Sequence, residues 1–127
     1  MAEQIRFDDA ALALRSQRMA IIASNIANAD TPGYKARDIS FSQALSDATR
    51  PTLSMQQTQA GHISTPLRST VSLDYRMQSQ PAMDGNSVDM DQERATFVDN
   101  AIKTQMSFQF AMEEYLEAGN LIRSLKD

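Results

Sequence analysis

The sequence predicts an all-α fold in which long N- and C-terminal helices pack antiparallel in a coiled-coil-like fashion. Two segments, 5–29 and 89–126, repeat apolar residues at intervals of three, four and seven, which is the spacing of an amphipathic helix. Between them, residues 49–83 are rich in Gln, Ser and Thr and contain three of the four prolines. Because such a composition buries little apolar surface, we expect an extended polar segment there.

The 127 residues are enough for one small structural unit. We divide this unit into three parts. Residues 1–37 hold the N-terminal helix and a Pro-Gly corner, and residues 38–83 hold a short helix and the extended middle segment. Residues 84–127 hold the C-terminal helix, which is expected to form one structural unit with the N-terminal helix.

The N-terminal helix carries two apolar stripes on nearly opposite sides. Its Ala-rich run contains neither Pro nor Gly, which favours a helix. The first stripe consists of Ile5, Leu12, Met19, Ile22 and Ile26. The second stripe consists of Phe7, Leu14 and Ile21. An ordinary surface helix has one apolar face, so two stripes predict partners on two sides.

The end of this helix places two asparagines, Asn25 and Asn28, next to a sharp turn. The last carbonyls of a helix have no partner within it, and Asn side chains can donate to them. The turn consists of Thr31, Pro32, Gly33 and Tyr34, which fits type II with Pro second and Gly third. Simple helix termination explains any one of these residues equally well. Taken together, they predict a corner that fixes how the helix leaves the core.

Residues 38–48 predict a short helix. Asp38 or Ser40 is suited to its N-cap. One face of this helix is formed by Phe41, Ala44, Leu45 and Ala48. Further along, the weak alternation of residues 69–77 predicts a short extended piece.

The pattern of residues 89–126 predicts the longest helix. A helix-start motif lies at and just before its first residue and consists of Gly85, Asn86, Val88 and Asp89. Asp89 is suited to the N-cap, with Gln92 at the third helical position. The apolar stripe consists of Phe97, Ala101, Thr104, Phe108, Ala111, Tyr115, Ala118, Ile122 and Leu125. A weaker second face consists of Val98, Ile102, Met106 and Leu116. We expect the two long helices to pair through one stripe from each, which leaves the second stripes for assembly.

Composition excludes several classes of protein. The net charge is −4 and the pI is near 4.9, and Lys and Arg are scattered singly, which argues against binding to nucleic acid. No apolar run approaches the roughly 20 residues of a membrane span or the apolar core of about 7–15 residues of a Sec signal. Because the chain contains no Cys, disulfides and thiolate metal sites are excluded.

Residues that carry chemistry are sparse. The single histidine, His62, lies in a polar segment and is better suited to a surface or interface than to catalysis. Residues 84–93 superficially resemble a calcium-binding loop, but Val88 falls where a ligand is required. No motif of a hydrolase, a nucleotide-binding loop or a zinc protease is present. The sequence therefore predicts no enzyme, no cofactor, no metal and no small-molecule substrate.

Two long stretches resemble the bacterial flagellar rod and hook proteins. They are SNIANADTPGYKARDISF (24–41) and PAMDGNSVDMDQERATF (81–97). The shorter pieces QAGHIST (59–65) and LDYRM (73–77) are also similar to that family. The continuation through ARDISF and the short length of the chain resemble the proximal members of the flagellar basal-body rod.

This resemblance implies a structural subunit that has no enzymatic activity. Such a subunit would be exported by the flagellar type III apparatus without a cleaved signal peptide. It would polymerise through its terminal helices into the drive shaft, in the periplasmic space. The implied neighbours are further copies of the chain, the adaptor FliE and the rod protein FlgC, with the export gate as a further candidate. The alternative is a small helical export chaperone or secreted binding protein, which would fold alone around one apolar groove.

Overall fold

A computed structural model describes residues 2–49, 71–77 and 82–125 as three helices and two short strands. The helices are α1 (Ala2–Ala27), α2 (Phe41–Thr49) and α3 (Met90–Ser124). The strands are β1 (Arg37–Ile39) and β2 (Leu73–Tyr75). The predicted all-α class, with long helices near both ends of the chain, is confirmed. The division of the chain into three parts stays a prediction.

Helices α1 and α3 lie side by side and run antiparallel. The Tyr115 hydroxyl lies 2.8 Å from the carboxylate of Asp9, and the Arg15 Nε donates to the Ser107 hydroxyl at 2.9 Å. Nearer the start of α3, the Asn25 amide donates to the carboxylate of Glu93 in α3. Positions along α3 therefore fall as positions along α1 rise. The 35 residues of α3 give it a length of about 50 Å.

Helix α3 begins where the sequence indicates. One carboxylate oxygen of Asp89 accepts the backbone N–H groups of Asp91 and Gln92 at 3.0 and 3.3 Å. This is the geometry of an N-cap, and it satisfies two donors that the helix itself leaves free. The helix continues through Gly119, as its apolar stripe predicts, and ends at Ser124.

Helix α2 and strand β1 cover one side of α1. Their core buries Leu14, Ile39 and Ala44. Partly buried apolar residues packed against this core are Ile21, Phe41, Leu45 and Val71. Helix α2 begins at Phe41, directly after Ser40, so the alternative N-cap Asp38 is wrong. Asp38 lies instead in β1, where it pairs with arginines.

The two strands form a small antiparallel ladder. Arg37 lies opposite Tyr75, and Ile39 lies opposite Leu73. The extended piece predicted within residues 69–77 corresponds to β2, whereas β1 was not predicted. The ladder connects the loop after α1 to a segment that lies more than thirty residues further along the chain.

Other predictions fall on residues 50–70 and 78–81, including His62, and lie outside the described residues. Within the described ranges, none of the helices combines the length and the apolar character needed to cross a membrane.

Candidate functional site: the corner and the helix faces

We define the corner as residues 25–37 together with residues 84–89, which pack against each other at the end of α1. Gly33 has a φ of 73°, and the Tyr34 N–H donates to the Thr31 carbonyl at 3.2 Å. These are features of a type II turn, in which glycine tolerates the positive φ. The Gly33 N–H donates to the Asp84 carbonyl at 2.9 Å, so the turn is tied directly to the segment before α3.

Asn25 is fully buried, and its side-chain amide hydrogen-bonds the backbone of the chain that leaves α1, as a neighbouring strand would. Its side-chain amide donates to the Arg37 carbonyl at 2.7 Å, and its Oδ1 accepts the Arg37 N–H at 3.1 Å. The Tyr34 hydroxyl lies 3.4 Å from the same Oδ1. One buried side chain thus satisfies both backbone groups of Arg37, which fixes the direction of the loop relative to the helix.

Asn86 closes the end of α1 from a distant part of the chain. Its side-chain amide lies 2.8–2.9 Å from the carbonyls of Asn28, Ala29 and Thr31. Its Oδ1 accepts the Val88 N–H at 2.8 Å, which shapes the approach to α3. The end of one long helix is therefore capped by the segment that begins the other.

Asn28 has a more local role. Its side-chain amide donates to the Ser24 carbonyl at 2.8 Å, and its Oδ1 accepts the Thr31 hydroxyl at 3.1 Å. Pro32 is exposed at the tip of the turn. The two asparagines singled out by the sequence therefore differ, because Asn25 connects separate parts of the fold and Asn28 stabilises one helix end.

Backbone contacts complete the corner. The Ser87 N–H donates to the Tyr34 carbonyl at 2.9 Å, and the Ala36 N–H donates to the Ser87 hydroxyl at 2.7 Å. The Lys35 ammonium donates to the Gly85 carbonyl at 2.7 Å. The sequence stretches 24–41 and 81–97, which carry the family resemblance, thus meet in one hydrogen-bonded unit.

A chain of charged side chains lies beneath the corner. Arg18 donates to both oxygens of Asp38 at 2.8 Å. Arg76 bridges Asp38 and Glu93 at 2.8 and 2.9 Å, and Glu93 is almost fully buried. This network was not predicted from the sequence. Asp38 comes from β1 and Arg76 from the residue that follows β2, and the pairing of these strands has no local sequence signal.

The environment shifts the pKa values of Asp38 and Glu93 in opposite directions. Burial disfavours ionised Asp38, but hydrogen bonds from Arg18, the Ile39 N–H and Arg76 outweigh it and lower the pKa of Asp38 to about 2. Burial raises the pKa of Glu93, although the Asn25 hydrogen bond and the Arg76 charge oppose that rise. Asp38 is therefore held ionised, which suits a structural ion pair.

The seam between α1 and α3 is more polar than the apolar stripes predicted on α3. On α3, the side facing α1 carries a polar row of residues seven apart, Glu93, Asn100, Ser107 and Glu114. Beside it runs a small-residue row of Thr104, Ala111 and Ala118. The predicted stripe shares this second row with the seam. The large side chains of that stripe are each at least 40% exposed, and the Tyr115 hydroxyl contacts Asp9 of α1 at 2.8 Å; they are Phe97, Phe108, Tyr115, Ile122 and Leu125. The division of the stripes between pairing and assembly stays a prediction.

On α1, the two predicted stripes are covered to different extents. From the first stripe, only Ile22 is fully buried, while Leu12, Met19 and Ile26 are half-buried. Leu14 and Ile21 of the second stripe pack against α2, β1 and Val71 within the chain. The side chain of Ile5 lies outside the described residues. Most of the second stripe is therefore covered by α2 and β1, and the uncovered apolar surface lies mainly on α3.

The outward surface of α3 carries many large apolar side chains. Members between 49% and 66% exposed are Val98, Ile102, Met106, Phe108, Phe110, Met112, Tyr115, Leu116, Leu121 and Ile122. An apolar surface of this extent is unusual for a monomeric protein and marks an interface. A shallow, mostly acidic depression is lined by Asp8, Phe110, Glu113, Glu114 and Glu117.

A rigid corner, a paired helical rod and a long uncovered apolar surface define a subunit of a larger assembly. The model for the family described as flagella basal body rod protein matches residues 5–35. Flagellar basal body rod protein FlgB of Escherichia coli strain K12 is 43% identical over 131 residues, covering 91% of this chain and 94% of that protein.

Two further relatives carry the same name. FlgB of Yersinia enterocolitica is 49% identical over 109 residues and covers 80% of each chain. FlgB of Aeromonas hydrophila is 41% identical over 118 residues, covering 91% of this chain and 87% of that protein. The chain therefore belongs to the FlgB family of flagellar basal body rod proteins. The family resemblance seen in the sequence is confirmed, and membership makes the chain a structural subunit of the rod.

Proposed function

We propose that this rod subunit assembles through the outward apolar surface of α3, while the corner sets the angle at which α1 and α3 are presented. The observation that carries the proposal is the exposure of apolar side chains along nearly the whole of α3. Fully burying one such side chain contributes about 1.5–3 kcal/mol, so covering the exposed half of ten contributes on the order of 10 kcal/mol. This is large enough to offset much of the entropic cost of association.

The partners proposed are further copies of the chain, the adaptor FliE, the rod protein FlgC and the export gate. Family membership supports a place among flagellar components, and the uncovered surface supports contact with more than one neighbour. We further propose that the subunit acts in the periplasmic space after type III export, without a cleaved signal peptide, and has no catalytic role. A contact that repeats head to tail without closing would generate a helical shaft.

A paired substitution on the outward face tests this assignment. Val98 and Ile102 lie one helical turn apart and are 56% and 58% exposed. We expect the double variant Val98→Ser/Ile102→Ser to accumulate in cells but to be depleted from isolated basal bodies, with loss of swimming. The measurement is an immunoblot of basal bodies from cells in which the variant is the only copy.

The matched control changes the same face without removing apolar surface. Gln105 and Gln109 are exposed between the apolar positions, so Gln105→Ser/Gln109→Ser is expected to enter basal bodies normally. Normal rods and swimming in the Val98/Ile102 variant would contradict the proposed surface. If the unaltered chain were absent from basal bodies, the alternative of an export chaperone or secreted binding protein would be favoured.

A further inference from the structure

The rotation of α3 about its own axis is unexpected on hydrophobic grounds. We define the aromatic row as Ala101, Phe108, Tyr115 and Ile122, which lie seven residues apart next to the small-residue row. A rotation of α3 by about 50°, half the angle between consecutive residues, would replace the polar row in the seam by the aromatic row. Because that rotation would bury more apolar surface, the observed arrangement needs a specific cause.

Contacts between Arg15 and the polar row supply this cause. Asn100 is fully buried, and its side-chain amide donates to the Arg15 carbonyl at 3.0 Å. The Arg15 Nε donates to the Ser107 hydroxyl at 2.9 Å, and the Arg15 guanidinium lies 4.3 Å from the centre of the Phe41 ring. Arg15 therefore joins α1, α2 and α3 at one level. Rotating α3 would break both hydrogen bonds in a partly buried setting, which is costly.

Stability alone does not explain the presence of an asparagine at position 100. Its Oδ1 is buried and has no hydrogen-bond partner among the described residues. An apolar residue of similar size would avoid the cost of leaving this oxygen unpaired. Polar residues at core positions of paired helices are known to specify geometry at the expense of stability. Asn100 has a hydrogen-bonded amide and an unpaired Oδ1, which is what we expect of a residue that specifies geometry at the expense of stability.

We propose that Asn100 and Ser107, acting on Arg15, are positioning residues that fix the rotation of α3 and keep the large side chains of the aromatic row at the edge of the seam, where each is about half exposed or more. The inference deepens the proposed function, because the exposed part of this row is then available to neighbouring rod subunits. Phe108 and Tyr115 keep about half of their surface exposed, although α1 lies close enough for the Tyr115 hydroxyl to contact Asp9 at 2.8 Å.

Two engineered cysteine pairs report the rotation. Ala11 and Ala111 are both buried, and each lies one helical turn from the Arg15–Ser107 contact, so Ala11→Cys/Ala111→Cys reports the observed arrangement. The pair Ala11→Cys/Phe108→Cys reports the rotated one, while Tyr115 keeps the aromatic row apolar. Because the chain contains no other Cys, any intramolecular disulfide is the engineered one. Basal bodies are oxidised with copper phenanthroline, and the cross-linked monomer is identified by its gel mobility.

With Asn100 and Ser107 present, we expect the first pair to cross-link and the second to remain near background. Introducing Asn100→Ala/Ser107→Ala is expected to raise the ratio of the second cross-link to the first by at least fivefold. Thr104→Ala is the matched control. Its hydroxyl lies at the same seam but donates only to the Asn100 carbonyl within α3, at 2.6 Å, so the ratio should not change.

An unchanged ratio in the double variant would overturn the proposal. If that variant fails to enter basal bodies, Ser107→Ala alone is measured there and in the purified chain, where a twofold rise is expected and an unchanged ratio again overturns it. Absence of the parent cysteine pairs from basal bodies would instead count against the proposed function. The two failures are therefore distinguishable.

Discussion

The corner and the distal half of the helix pair satisfy their side chains in opposite ways. Asn25 in the corner and Glu93 directly beneath it are buried, and both are hydrogen-bonded to other parts of the chain. In the distal half, residues 108–125 of α3 bury only Ala111, and large apolar side chains face outward. The contact that joins the helices there, between Tyr115 and Asp9, is exposed.

This difference separates what the chain completes by itself from what its neighbours complete. A region with dense buried hydrogen bonds opens rarely, whereas a region with few buried contacts opens at a low cost in free energy. We infer that the corner is the part of the subunit that keeps its shape before and after assembly. The distal helices gain most of their apolar burial from the rod.

The largest effect is expected from Asn25→Leu. The substitution keeps the number of side-chain heavy atoms and their branching but removes the partners of the Arg37 N–H and carbonyl and the Asn25 contact to Glu93. Leaving buried polar groups unpaired costs about 1–3 kcal/mol each, so the free energy of unfolding should fall by about 3–5 kcal/mol. Urea unfolding of the purified chain, followed by far-UV circular dichroism, measures the loss.

The matched control at the same helix end is Asn28→Ala. Its side-chain hydrogen bonds are local and exposed, so the loss should be about 1 kcal/mol or less. If Asn25→Leu and Asn28→Ala lowered stability equally, the corner would not differ from an ordinary helix end.

Particular residues show why the sequence predicted the elements better than their partners. The N-cap Asp89 and the turn at Gly33 depend on residues within three positions, and such local patterns can be read directly. Asn25 binds Arg37 of β1, and Glu93 binds Arg76, which directly follows β2, so no spacing near Asn25 or Glu93 indicates these partners.

The use of the α3 stripes for pairing or for assembly could not be predicted for a different reason. Apolar periodicity indicates which side of a helix is covered, but it does not show whether the covering partner belongs to the same chain. Phe108 and Tyr115 belong to the strongest periodic signal, yet about half of each side chain is exposed. The seven-residue repeat of Asn100 and Ser107 was visible in the sequence, but polar residues are rarely taken as a pairing row.

A smaller effect is expected from the ion pairs of Asp38, and it depends on pH. The folded-state pKa of about 2 lies below the ordinary value of 3.8, so the pairs stabilise the fold above about pH 4 and this contribution disappears as the pH falls towards 2. Asp38→Asn should therefore lower the free energy of unfolding by about 1–2 kcal/mol at pH 7, with some screening by solvent. The difference between the two proteins should become small near pH 2 and vanish below it.

Because the raised pKa of Glu93 acts in the opposite direction, the comparison is made between Asp38→Asn and the parent rather than from one pH profile. The control is Asp74→Asn, an exposed carboxylate of the neighbouring strand, which should shift stability by less than about 0.5 kcal/mol at both pH values. A difference between Asp38→Asn and the parent that persisted at pH 2 would show that packing, and not charge, accounts for the effect.

The smallest effect on the free chain is expected in the distal half. Leu116 is 60% exposed, so Leu116→Ala should change the free energy of unfolding by no more than about 0.5 kcal/mol. Leu14→Ala, which opens a cavity in the core beside Ile39 and Ala44, should cost about 2–4 kcal/mol. For incorporation into basal bodies we expect the opposite order, with Leu116→Ala depleted more strongly than Leu14→Ala, because Leu116 is covered only when neighbours are present. If Leu116→Ala destabilised the isolated chain as strongly as Leu14→Ala, the distal surface would already be buried within the subunit, and the distinction between the two regions would fail.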